Sequence, residues 1–136
     1  MCRCIANCTE CHNICVATAS YCMSMGGEHV TAHHMGILLD CADTCRMSAD
    51  FMLRGSDMHQ HTCGLCAEAC TRCADECARF GEDAQMQACV YTCRHCAESC
   101  RAMAASCACA ICSNMQAAQA NVHAASGNLR LLAGGS

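Results

Sequence analysis

Between residues 62 and 77 the chain reads TCGLCAEACTRCADEC, with cysteines at 63, 66, 70, 73 and 77. The steps alternate three, four, three, four. On a helix turning about 100° per residue, these five sulfurs fall within an arc of about 80°. The same register runs through Cys4, Cys8, Cys11, Cys15 and Cys22, through Cys41 and Cys45, and through Cys89, Cys93, Cys96, Cys100 and Cys107. Seventeen thiols therefore share one helical seam. Thiolates are soft ligands that select Cu(I), zinc or iron–sulfur clusters.

Three readings compete for such a seam. Reduced cysteine is a small hydrophobe and serves as core filler. Leu or Ile would fill the same space with about 0.8 kcal/mol more stabilisation per extra buried CH₂, so packing alone does not select this composition. Disulfides fit poorly. Cysteines at i and i+4 have Cβ atoms about 5–6 Å apart, a disulfide needs about 3.5–4.5 Å, and small disulfide-dense folds are loop-rich. Metal binding is the third reading. The Cys-x-x-x-Cys pairs 4/8, 11/15, 41/45, 66/70, 73/77, 89/93 and 96/100 suit two sulfurs across a linear ion. Those sulfurs lie roughly 4–5 Å apart if each bond resembles Zn–S at about 2.3 Å. Charge then separates the metals, because a buried unpaired anion is very costly. One Cu⁺ per thiolate leaves the seam neutral. Zinc held by four thiolates leaves a charge of −2 at each site and favours isolated knots on loops. Iron–sulfur clusters favour a loop run closing on Cys-Pro, and the chain has no proline.

The elements that carry the seam follow from composition. The chain has 136 residues and a formal net charge of −4, with eight basic residues, all Arg. It carries no basic patch for nucleic acid or an anionic membrane. Leu, Ile, Val and Phe number only 17, against 24 Ala, 20 Cys and 10 Met, so cysteine must be the core residue if the chain folds. Ala-rich stretches with few β-branched residues favour helix, and glycines at 26, 27, 55, 81 and 127 mark the breaks. The spacing predicts helices over about 3–25, 28–54, 57–80 and 83–108 or beyond. Ser56 and Asp83 read as N-caps, and Gly55 and Gly81 as helix stops. On the third helix the face opposite the cysteines carries Glu68, Arg72, Asp75, Glu76 and Arg79 and reads as solvated. Four such helices with short links predict one all-α domain over 1–136, an antiparallel four-helix bundle with a cysteine-lined core. Residues 117–136, without cysteine, are expected to extend the last helix and then fray, unless Leu129, Leu131 and Leu132 dock back.

The start, MCRCIANCTE, lacks the basic and apolar regions of a signal peptide. No apolar run approaches a membrane span. Both point to a reducing cytoplasmic setting in which thiols stay reduced.

The bundle ends differ from its middle. One mouth gathers Cys22, Met23, Met25, His33, His34, Met35 and Met86; the other gathers Met52, Met58, His59, His61, Met103 and Cys107. Thioether and imidazole are neutral, weaker Cu(I) ligands than thiolate, suited to admitting an ion and passing it to deeper sulfurs. Each also has an ordinary role, Met as core filler and His as a solvated helix-end residue. The candidate entry ligands are His33, His34, Met35, His59, His61 and Met52. His12, His29, His95 and His123 read as surface residues. Cys2, Cys109 and Cys112 fall outside the register and are secondary metal candidates.

The repeated Cys-x-x-x-Cys pairs, the HHM at 33–35, and CGLCAEACTRCADEC followed by CVYTCRHCAESCRAM resemble the bacterial copper storage proteins over residues 4–108. The likeness is greatest to the cytosolic branch without an export signal. The resemblance implies a homotetramer of four-helix bundles whose core cysteines bind many Cu(I) ions, and a His/Met mouth, with His34 matching the family's helix-2 histidine motif. The chain departs from it in the extra cysteines and in carrying His and Met at both mouths. The expected function is non-enzymatic, high-capacity Cu(I) storage, with copper delivered by a chaperone or small thiol. The rivals are a zinc- or cadmium-sequestering thiol protein and a thiol redox buffer. The latter would need an exposed, low-pKa thiol.

Overall fold

Proline-free, alanine-rich segments separated by glycine form helices here, and their ends show why. In the computed structural model, which describes residues 1–106, α1 spans Cys2–Met25, α2 Ala32–Leu53, α3 His59–Ala78 and α4 Ala84–Ala105. A 3-10 turn, Gly27–Val30, precedes α2. Gly26 and Gly27 have φ of 69° and 58°, left-handed values that glycine reaches without steric cost and that turn the chain out of α1.

Two boundaries differ from the sequence expectation. α2 begins at Ala32 rather than at 28. Thr31 is extended, at φ −61° and ψ 146°, and its Oγ1 accepts from the His34 N–H at 3.2 Å. The cap thus sits four residues past the glycine pair. Ser56 caps a turn, not the helix. Its Oγ accepts from the Met58 N–H at 3.2 Å, and α3 starts at His59 without a side-chain cap. α4 runs to Ala105, and its expected continuation, with the 117–136 tail, lies outside the described residues.

Asp83 caps α4 as expected. Its Oδ1 accepts from the Gln85 and Met86 N–H groups at 3.1 and 3.2 Å, while Oδ2 accepts from Tyr21 Oη–H at 2.7 Å. The Tyr21 hydroxyl, above all, holds the Asp83 carboxyl below its ordinary 3.8. A carboxylate depressed in the folded state stabilises above its unfolded pKa and loses that contribution as pH falls through the lower folded value. Replacing Asp83 by alanine is therefore expected to cost about 1 kcal/mol at neutral pH. Thermal melts should show the penalty at pH 7 and see it shrink in acid. An equal penalty at both pH values would contradict the assignment.

The helices form an antiparallel bundle in which α1 packs on α2 and α4, and α3 packs on α2 and α4. Diagonal pairs do not meet at their Cα atoms, so the axis is left to side chains. The buried core holds sixteen cysteines, six alanines, Met52, Met86, Leu38 and Val90. Ala42, Ala67, Ala74 and Ala97 each directly follow a core cysteine and are buried. Interaxial distance depends on the side chains at the contact, and methyl groups at these flanks let the helices close until sulfur meets sulfur.

Candidate metal centre

Cysteine is short, so its sulfur reaches the axis only if the backbones stand close. They do. Seventeen free cysteines lie within the described residues, and all but Cys2 are buried. Neighbouring sulfurs stand at contact: Cys8–Cys100 at 3.4 Å, Cys45–Cys66 at 3.5 Å, Cys11–Cys93 at 3.6 Å and Cys41–Cys70 at 3.7 Å. Three of the i,i+4 pairs, 66/70, 89/93 and 96/100, are no closer, at 3.8, 3.9 and 3.9 Å. Sulfurs also meet across the diagonal, Cys11–Cys70 and Cys41–Cys93 both at 3.9 Å. The pairs read from the sequence are thus not separate units. They merge into one file.

Quartets of sulfurs within 4.8 Å of one another include Cys8/Cys66/Cys96/Cys100, Cys11/Cys41/Cys45/Cys70, Cys11/Cys15/Cys41/Cys93, Cys15/Cys73/Cys89/Cys93 and Cys45/Cys66/Cys70/Cys96. Eight of the twelve cysteines in these five quartets serve two quartets at once. With bonds near 2.3 Å, two sulfurs on a linear ion would stand about 4.6 Å apart and on a trigonal ion about 4.0 Å. The observed contacts are close to the trigonal value and need a sulfur shift of about 1 Å for the linear one.

Protonation is uneven along the buried core: contacts with neighbouring thiols hold some sulfurs, Cys11 and Cys66 among them, below the ordinary thiol range, and others above it. Burial pushes the Cys22 thiol up. The contact with Cys100 favours the Cys63 thiolate, but Cys4 and burial outweigh it and push that thiol up to about 12. Contacts with Cys11, Cys41, Cys66 and Cys70, together with burial, hold Cys45 well above the ordinary thiol range. A soft cation that binds at one of these raised thiols displaces a proton rather than meeting a free anion.

One end of the file terminates in Cys22, His34 and Met86. His34 Nε2 lies 3.4 Å from Cys22 Sγ, and Cys22 Sγ lies 3.9 Å from Met86 Sδ. All three side chains are buried. Phe80 packs on the histidine, its ring centroid 4.8 Å from that of His34 and 4.3 Å from that of His29. At the other end Cys63 Sγ lies 3.8 Å from Met52 Sδ and Cys4 Sγ lies 3.6 Å from Cys100 Sγ. His59 is buried there, with Nδ1 2.8 Å from the Ser56 carbonyl oxygen.

The copper storage protein family matches residues 1–105 of this chain. The chain belongs to that family. Among solved structures, a protein of Nitrosospira multiformis is 45% identical, with a TM-score of 0.70 over 75% of this chain and 92% of the other. The Cu(I)-bound copper storage protein of Bacillus subtilis is 33% identical, with a TM-score of 0.71 over 76% and 96%. A copper-loaded cytosolic copper storage protein from Streptomyces lividans is 31% identical, with a TM-score of 0.71 over 78% and 92%. No curated protein matches.

Against this geometry the candidate residues sort clearly. Sixteen seam cysteines, from Cys4 to Cys100, line the core. Cys2 is exposed, and Cys107, Cys109 and Cys112 lie outside the described residues. Of the candidate entry ligands, His34, His59 and Met52 are buried, Met35 is half-buried, and His33 and His61 are exposed. Met23 and Met25, grouped with the first mouth, are exposed. Two surface assignments are corrected. His29 sits on Phe80 and faces Asp83, Nε2 to Oδ2 3.3 Å, and His12 bonds the Ala42 carbonyl at 2.8 Å through Nδ1. His95 is exposed as expected, and His123 lies outside the described residues.

Glu76 is a third correction. It does not share the solvated face but is buried at 8% exposure, 3.4 Å from His34 Nδ1 and 3.9 Å from His33 Nε2. The signal was present in the spacing. At about 100° per residue, Glu76 lies only about 60° beyond Cys73, nearer the seam than Glu68, Arg72, Asp75 or Arg79.

Proposed function

We propose that this chain stores Cu(I) at high capacity, with the sixteen buried cysteines, Cys4 to Cys100, as ligands. The observation that carries the reading is the sharing of sulfurs between adjacent quartets. Shared thiolates are bridging thiolates. Monovalent copper in two- or three-coordinate sites suits a file of bridges and neutralises it one charge per sulfur. Zinc would need four thiolates per site, and quartets that share corners cannot all be filled that way without accumulating negative charge in a dry core.

The protein's work in this reading is binding, not catalysis. A thiol redox buffer needs an exposed, activated thiol, whereas the seam cysteines are buried. Copper arrives from a small thiol or chaperone, enters past His34 and Met86, and moves inward by exchange of one sulfur for the next, so no bare ion crosses the core. Among the described residues no helix is long and apolar enough to cross a membrane, and reduced thiols suit the cytoplasm. Assembly as a homotetramer follows the family resemblance. Exposed Val16, Leu39, Leu65 and Tyr91 supply apolar surface on the outer faces for it.

The test is anaerobic titration of the fully reduced chain with Cu(I), a chromogenic chelator reporting free metal. The expected result is tight uptake of more than about ten ions, on the order of one per buried thiolate. Saturation at about four ions or fewer, as discrete four-sulfur sites would give, overturns the reading in favour of zinc.

A further inference from the structure

His34 is a buried imidazole with sulfur in front of it and a carboxylate behind. Its side chain is 1% exposed. Nε2 faces Cys22 Sγ at 3.4 Å, beside Met86 Sδ. Nδ1 has no aligned hydrogen bond among the described residues. Its charged neighbour is Glu76 Oε1, at 3.4 Å, a separation that a small ring rotation would close to a hydrogen bond. The carboxylate is itself anchored, with Arg79 Nη1 donating to the same oxygen at 2.5 Å.

A neutral imidazole carries one N–H and one ligating lone pair, on opposite nitrogens. The two tautomers are not equivalent here. With the proton on Nε2, the ring would donate to the Cys22 sulfur and turn its lone pair toward a carboxylate, lone pair against anion. With the proton on Nδ1, the N–H faces Glu76 and the Nε2 lone pair faces the sulfurs. Metal-binding histidines generally rely on such an outer carboxylate to fix ring and tautomer.

We propose that Glu76 is a positioning residue for copper entry: it holds the His34 proton on Nδ1 and so directs the Nε2 lone pair to the Cys22–Met86 opening of the sulfur file. This rests on the reading of the file as a Cu(I) store. The incoming ion meets one imidazole nitrogen, one thioether and one thiol, whose proton it displaces. That set is neutral with Cu(I) and weaker than the all-thiolate sites beyond, so the ion passes inward. Arg79 holds the Glu76 carboxylate in place and offsets its charge.

Two measurements decide it. Long-range ¹H–¹⁵N correlation in the reduced, copper-free protein reads the His34 tautomer directly. The Nδ1–H form is expected in the wild type, the Nε2–H form in Glu76→Ala, and the Nδ1–H form again in Glu76→Gln, whose amide oxygen accepts the same N–H. Stopped-flow uptake from a Cu(I)–chelator complex should then be about tenfold slower in Glu76→Ala, largely restored in Glu76→Gln, and at the wild-type rate in Glu68→Ala, on the solvated face of α3. An Nε2–H wild type, or a Glu76→Ala protein that loads at the wild-type rate, overturns the assignment. Should the alanine variant fail to fold, the wild-type tautomer still decides. A wild type with the expected tautomer and no copper uptake overturns the storage reading instead.

Discussion

A Cys11/Cys41/Cys45/Cys70→Ser variant is expected to take up about four fewer Cu(I) ions than the wild type, one per thiolate removed, and to fill the half of the file beyond the break far more slowly. These four sulfurs form one quartet at mid-bundle, where α1, α2 and α3 all contribute. Serine preserves shape but offers a hard oxygen that stays protonated, so the quartet ceases to bind. The consequence reaches beyond lost capacity, because exchange inward needs a sulfur within reach of the last one. Cys41–Cys70, Cys45–Cys70 and Cys11–Cys93 contacts of 3.6–3.7 Å are the rungs that would be removed. Ions entering at the His34 end would still reach Cys15, Cys73, Cys77, Cys89 and Cys22. Those bound for Cys8, Cys66, Cys96 and Cys100 would meet a gap. Single-turnover uptake followed by the thiolate-to-copper ultraviolet band should resolve a fast phase of reduced amplitude and a slow remainder. A single phase with the wild-type rate constant would mean that both ends admit copper, and the single-file route would be abandoned.

Loading the protein with Cu(I) is expected to raise its thermal midpoint by tens of degrees while leaving its helix content almost unchanged. Each ion that binds only the folded form, at a free concentration 100 times its dissociation constant, adds about 2.7 kcal/mol. Four such ions contribute about 11 kcal/mol, comparable with the whole stability of an ordinary domain at about 5–15 kcal/mol. At roughly 4–8 °C per kcal/mol for a bundle of this size, the shift exceeds about 30 °C. The helices carry local signals of their own. Thr31 and Asp83 cap α2 and α4, and alanine, Leu38, Met52 and Met86 pack beside the sulfurs in the core. Far-ultraviolet circular dichroism of the reduced apo and loaded forms should therefore nearly superimpose, and stripping with a strong Cu(I) chelator should return the lower midpoint. An apo protein without helical signal would mean that copper drives folding, and the preformed scaffold would be wrong.

Much of this was legible in the chain itself. Periodicity alone places Cys63, Cys66, Cys70, Cys73 and Cys77 on one stripe, because side-chain direction on a helix is fixed by residue number. Composition alone makes sulfur the core, since 17 Leu, Ile, Val and Phe residues cannot build one. The same local rules locate the Asp83 cap and the glycine breaks. Where they misplace the start of α2, a nonlocal partner has intervened. The chain between Gly26 and Ala32 forms a 3-10 turn that lets His29 settle on Phe80, a residue 51 positions away.

The tertiary structure decided what spacing could not encode. Residue number says which residues share a face, not how near the facing helix stands. Only the close approach permitted by Ala42, Ala67, Ala74 and Ala97 turns seven i,i+4 pairs into one file whose cross-helix contacts, down to 3.4 Å, are as short as those within a helix. Burial of Glu76 was likewise undecided by its charge. Its position at the flank of the seam leaves it open to water on an isolated α3, and it becomes an inside residue because α2 brings His34 against it. Sequence fixes direction along one helix, whereas distance and desolvation belong to the packing of four.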